Sequence, residues 1–116
     1  SPEVAAITLD AIGADVLGIN CSQGPAELRG LAARMLTVTD KPVMVQANAG
    51  LPHVDDDGNT VFDIQAPEYA EAVAGMIEDG VSVVGGCCGT TPASASTPPA
   101  KSACSRPCAT ATWTTS

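Results

Sequence analysis

Cysteine is the residue type in this sequence with the widest chemical scope, and five occur. Cys21 closes the apolar run "ADVLGINC", and Cys87 and Cys88 stand side by side in "GGCCGTTP". A cysteine thiolate can ligate a metal, act as a nucleophile or enter a disulfide. Three thiolates sharing one zinc ion, with a fourth position open, describe a catalytic rather than a closed structural site. Neighbouring cysteines are awkward inside a strand, because successive side chains point to opposite faces. At a strand end the chain is already turning. Gly85, Gly86 and Gly89 then permit backbone angles that bring both sulfurs to one ion. Spacing alone leaves two other readings open, inert small hydrophobes and thiol redox chemistry.

The surrounding elements must bring those cysteines together. "SPEVAAITLDAIG" reads as a helix capped by Ser1, with Pro2 and Glu3 in its first turn and Val4, Ile7, Ala11 and Ile12 at helical spacing. "ADVLGINC" reads as a buried strand. "GPAELRGLAARMLTVTD" is a second helix, with Leu28, Leu31, Ala32 and Met35 on one face. "KPVMVQANAG" is a second buried strand. In "LPHVDDDGNTVFDI", Asp-Gly-Asn between Val54 and Val61-Phe62 predicts a small hairpin. "APEYAEAVAGMIEDG" is a third helix and "VSVVGGCCG" a third strand. Thr91 and Pro92 look like the cap and first position of another helix. Alternating helices and apolar, non-alternating strands indicate an α/β fold with a parallel sheet. Cys21, Asn48 and the Cys87-Cys88 pair all fall at strand carboxyl ends.

Composition narrows the function classes. The chain has 116 residues, 45% of them hydrophobic but only 3% aromatic. The small aliphatics that dominate are usual in parallel α/β architectures. A formal charge of −8 argues against a nucleic-acid partner, which needs a basic footprint. No apolar run approaches the ~20 residues of a membrane span, and nothing resembles a signal peptide. The expectation is a cytoplasmic chain, in which cysteines serve metals or catalysis more than disulfides. Every acidic residue lies at or before Asp79, so the character of the chain changes near position 92. Residues 94–116 are rich in Ser, Thr, Ala and Pro, lack an apolar period, and read as a disordered or aberrant tail. Cys104 and Cys108 in that tail read as incidental thiols. His53 reads as a solvated loop residue. "DDDGN" has the wrong spacing for a calcium loop.

"GADVLGINCSQGPAEL", "ANAGLP" and "GVSVVGGCCGTTP" together resemble the homocysteine S-methyltransferase domain of cobalamin-dependent methionine synthases. Betaine–homocysteine methyltransferases share the pattern more loosely. The resemblance covers residues 1 to about 93, and the family often has Pro where this chain has Ala47. It implies the C-terminal part of a (β/α)8 TIM barrel, with parallel strands 6 to 8 and flanking helices, and a partial homocysteine-binding domain over 1–93. It implies zinc held by Cys21, Cys87 and Cys88. It also implies a homocysteine-binding role for Asn48, or a zinc-ligand role when substrate is absent, and a weaker substrate role for Asn20. A turn role is the competing reading of Asn48, since Asn tolerates the left-handed region. The expected reaction is transfer of a methyl group to the homocysteine thiolate, giving methionine. Cobalamin and methyltetrahydrofolate would come from domains outside this chain. A whole barrel needs ~250 residues, so 116 are expected to give incomplete activity. The alternative is a non-catalytic metal-binding or thiol-redox α/β fragment.

Overall fold

The computed structural model describes residues 1–96. The expected tail lies, apart from its first three residues, outside the described residues, as do Cys104 and Cys108. Each of the three long helices begins where proline is tolerated. Helix α1 (Pro2–Ala11) is capped by Ser1, whose Oγ accepts the Val4 N–H at 3.4 Å. Strand β1 (Leu17–Asn20) leads to helix α2 (Pro25–Leu36), and strand β2 (Val43–Ala47) follows. The predicted hairpin is present as β3 (Pro52–Val54) and β4 (Thr60–Phe62), paired antiparallel. Asp55 builds its turn, accepting the backbone N–H groups of Asp57 and Asn59 at 3.0 and 2.8 Å. Those donors hold its carboxyl below the usual carboxylate range. Helix α3 (Ala66–Glu78), strand β5 (Val83–Gly86) and the short helix α4 (Pro92–Ser96) complete the order. Thr91 stands at the expected cap position directly before Pro92, and its N–H donates to the Ser94 Oγ at 3.2 Å.

The three main strands form one parallel sheet in the order β1-β2-β5. Leu17 pairs with Val43, and Met44 with Val83. Along β2, Val43, Val45 and Ala47 are buried while Met44 and Gln46 are half-buried. The buried set packs against Leu28 and Ala32 of α2 and Tyr69, Val73 and Met76 of α3. Burying each large aliphatic side chain here contributes about 1.5–3 kcal/mol. Helices α1, α2, α3 and α4 touch in succession, so they form one layer over one face of the sheet. Among the described residues, no helix is long and apolar enough to cross a membrane.

Helix α1 departs from its expected packing. Ala6, and not the Val4–Ile7–Ile12 stripe, is the buried contact, meeting Leu17 and Met35. Val4 is 62% and Ile12 76% exposed. The reason is position: α1 ends the helix layer and rests on α2 and the edge strand β1, so among the described residues nothing covers its other side. A salt bridge from Arg34 to Glu3, at 2.6 and 2.8 Å, holds it to α2.

Candidate metal centre

The sheet delivers its chemical residues at one end. Strand β1 continues into Cys21, whose N–H donates to Gln46 O at 2.9 Å. The chain then turns through two left-handed residues, Cys21 at φ 55° and Ser22 at φ 65°. Non-glycine residues rarely adopt this conformation, and consecutive ones concentrate at sites that need an unusual turn. The left-handed role open to Asn48 from sequence therefore belongs to Cys21 and Ser22; Asn48 has negative φ.

Strand β5 ends similarly. The Cys87 N–H donates to Ala47 O at 2.9 Å, and the Thr90 hydroxyl donates to Cys87 O at 2.6 Å. Gly89, at φ +77°, completes the turn. Gly86 is required for a different reason: a Cβ there would run into the Thr90 side chain. Strain in one loop and glycine in the other thus redirect the two strand ends.

The extension of β2 ties these loops together. The Asn48 N–H donates to Gln23 O at 3.2 Å in the Cys21 loop. Its side-chain Oδ1 accepts the Cys88 N–H at 3.2 Å, and the Ala49 N–H donates to Cys88 O at 2.9 Å. Asn48 is buried, with 6% exposure. Asn20 is exposed at the end of β1, immediately before Cys21.

The outcome is a cluster of three sulfurs. The Sγ atoms of Cys21, Cys87 and Cys88 all lie within 4.8 Å of one another. Cys21 and Cys87 are joined as a disulfide, with Cα atoms 5.9 Å apart. Cys88 is an exposed free thiol whose Sγ is 4.0 Å from that of Cys87. Residues 66 positions apart in the chain meet because parallel strands share a direction and end on one rim. With the disulfide reduced, the donor set fits zinc, which favours thiolate sulfur.

Tyr69 is the supporting residue that sequence inspection passes over. It is fully buried in α3, and its hydroxyl lies 2.8 Å from Gly85 O and 3.0 Å from Ala47 O. It bridges the ends of β2 and β5 just before the cysteine turn. Burial pushes its phenol up to about 12. The Tyr69–Val73–Met76 spacing signals a buried face but not the polar partners. His53 belongs to the hairpin, with its Nδ1 3.1 Å from Asp63 Oδ1 on the half-exposed surface.

Comparison with known proteins places the chain in a family. The family model for homocysteine S-methyltransferases matches residues 1–96. Methionine synthase of Mycobacterium leprae (strain TN) is 44% identical over 89 residues, which are 76% of this chain and 7% of that protein. Methionine synthase of Mycobacterium tuberculosis (strain ATCC 25618 / H37Rv) is 45% identical over 91 residues, 77% of this chain and 8% of that protein. Homocysteine S-methyltransferase 4 of Zea mays is 33% identical over 98 residues, 78% of this chain and 27% of that protein. The chain thus spans less than a tenth of the two methionine synthases and about a quarter of the maize relative. By its match over residues 1–96, the chain belongs to the homocysteine S-methyltransferase family.

Proposed function

We propose that this chain is the cysteine-bearing part of a zinc-dependent homocysteine S-methyltransferase of the methionine synthase type. The observation that carries the reading is the convergence of Cys21, Cys87 and Cys88 within 4.8 Å in a member of this family. The parallel sheet is read as an arc of a (β/α)8 barrel, its strands corresponding to the sixth, seventh and eighth. The helix layer on one face of the sheet favours a barrel over a doubly wound fold, which carries helices on both faces.

In this reading Cys21, Cys87 and Cys88 hold zinc once the Cys21–Cys87 bond has been reduced. Zinc supplies Lewis-acid lowering of the pKa of an incoming thiol, normally near ~8.5, so that homocysteine reacts as a thiolate. Cys88, exposed beside the half-buried Cys87, marks the side from which substrate approaches. Asn48 fixes the Cys88 backbone through Oδ1, and its amide nitrogen is the donor proposed for the amino-acid end of homocysteine. Asn20 is assigned a lesser substrate contact at the rim. The methyl donor, cobalamin charged from methyltetrahydrofolate, belongs to parts of the protein outside this chain.

The test is the zinc content of the dithiol-reduced chain and of Cys21→Ser, Cys87→Ser and Cys88→Ser. Stoichiometric zinc in the parent, lost in each variant, is expected. Cobalt substitution should add a thiolate-to-metal charge-transfer band that shifts with homocysteine. A second reading rests on the Cys21–Cys87 disulfide, in which the pair exchanges between dithiol and disulfide and no metal is held. Reduced parent without zinc favours that reading and refutes the first.

A further inference from the structure

The return arm of the hairpin carries two apolar residues that the chemistry above does not use. Phe62 ends β4, Ile64 follows two residues later, and Asp63 between them is exposed. The Ile64 N–H donates to Ala49 O at 3.0 Å, anchoring this arm to the extension of β2. A Cβ built on Gly24 would lie 3.2 Å from Ile64 Cδ1, and one on Gly50 3.2 Å from Ile64 Cγ1. The same Gly24 Cβ would be 3.4 Å from the Gly50 Cα. A Cβ on Gly89 would overlap the Phe62 ring. These glycines belong to three different loops: Gly24 follows Cys21 by three residues, Gly50 follows Asn48 by two, and Gly89 follows Cys88 directly.

We propose that Phe62 and Ile64 are positioning residues that clamp the three loops together and so set the approach of Cys21 to the Cys87-Cys88 pair. The clamp works by contact. Close packing transmits displacement because filled apolar interfaces leave few voids. Phe62 bears on the loop after β5, Ile64 on the loops after β1 and β2, and their own backbone is fixed to Ala49. Removing either side chain frees one cysteine loop relative to the other without touching a sulfur. The proposal deepens the three-sulfur reading of this site and does not depend on which metal, if any, is held.

The test measures that approach directly. In a full chain carrying Cys88→Ser, Cys104→Ser and Cys108→Ser, only Cys21 and Cys87 exchange with a glutathione redox buffer. Oxidation forms the Cys21–Cys87 bond as glutathione disulfide is reduced to two glutathiones. The equilibrium constant reports the effective concentration of one thiol at the other. Phe62→Ala and Ile64→Ala are each expected to lower it by about tenfold or more, since proximity is what such constants read. Phe62→Leu is expected to lower it less, and Val54→Ala, on the exposed arm of the hairpin, not at all. Values within about twofold of the parent in both alanine variants, with unchanged circular dichroism, overturn the clamp. An equal fall in Val54→Ala also overturns it, because hairpin stability would then suffice. If Phe62→Ala fails to fold, Phe62→Leu decides: an unchanged constant overturns the proposal and a reduced one supports it. No metal enters this measurement, so its failure is separate from failure of the zinc reading, which is seen in the parent's zinc content.

Discussion

Replacing Tyr69 by phenylalanine removes one hydroxyl and leaves the ring. The ring is fully buried among α3, β2 and β5 residues, so its apolar contacts survive and the cavity is a single oxygen in size. The hydroxyl lies 2.8 Å from Gly85 O and 3.0 Å from Ala47 O. Ala47 O still receives the Cys87 N–H, so the loss falls mainly on Gly85 O. Leaving a buried carbonyl without its partner costs about 1–3 kcal/mol. For a folded unit of this size, each kcal/mol moves the melting temperature by about 4–8 °C. Urea unfolding of the reduced chain should show a lower midpoint with an unchanged slope, since the exposed surface hardly differs. The phenol adds a pH signature. Its folded pKa, about 12, exceeds the ordinary value of 10.0. Its contribution is therefore intact below pH 10 and lost as pH rises from 10 to 12. That alkaline loss should be absent from Tyr69→Phe. A variant melting within about 2 °C of the parent, with the same alkaline profile, refutes the claim that Tyr69 secures the strand ends.

Gly89→Ala meets both a left-handed φ and the Phe62 ring. It should destabilise by more than the roughly 1 kcal/mol of the conformational penalty alone, and the proposed zinc binding by the reduced chain should weaken, as read by competition with a chromophoric chelator. At acid pH the Glu3–Arg34 pair is the reporter. The hydrogen bonds from Arg34 lower Glu3 from 4.5 to about 2, so its contribution is complete above pH 4.5 and disappears as pH falls towards 2. Melting curves of Glu3→Gln should lack that decline; an identical acid profile would show that the ion pair does not hold α1 to α2.

The order of elements was legible because each apolar run had its own boundary signal. Proline opens α1, α2 and α3 within their first turns, and the Asp-Gly-Asn turn separates β3 from β4. Convergence of the cysteines followed from parallel strands whose carboxyl ends share a rim. Three things were hidden. The α1 stripe of Val4, Ile7 and Ile12 has helical periodicity, but periodicity does not say whether a neighbour exists to cover it. The glycine of the turn after β1, Gly24, comes only at its end, so no local signal pointed to the left-handed Cys21 and Ser22. Phe62, Ile64 and Tyr69 act through contacts with backbone distant in the chain, which no local pattern encodes.

The left-handed pair at Cys21 and Ser22 sets robustness against utility. Glycine in place of Ser22 would relieve a backbone cost on the order of 1 kcal/mol, so selection for heat tolerance alone would favour it. The same change would loosen the pivot that aims the first sulfur. A sequence optimised blindly for endurance would thus drift away from a competent rim.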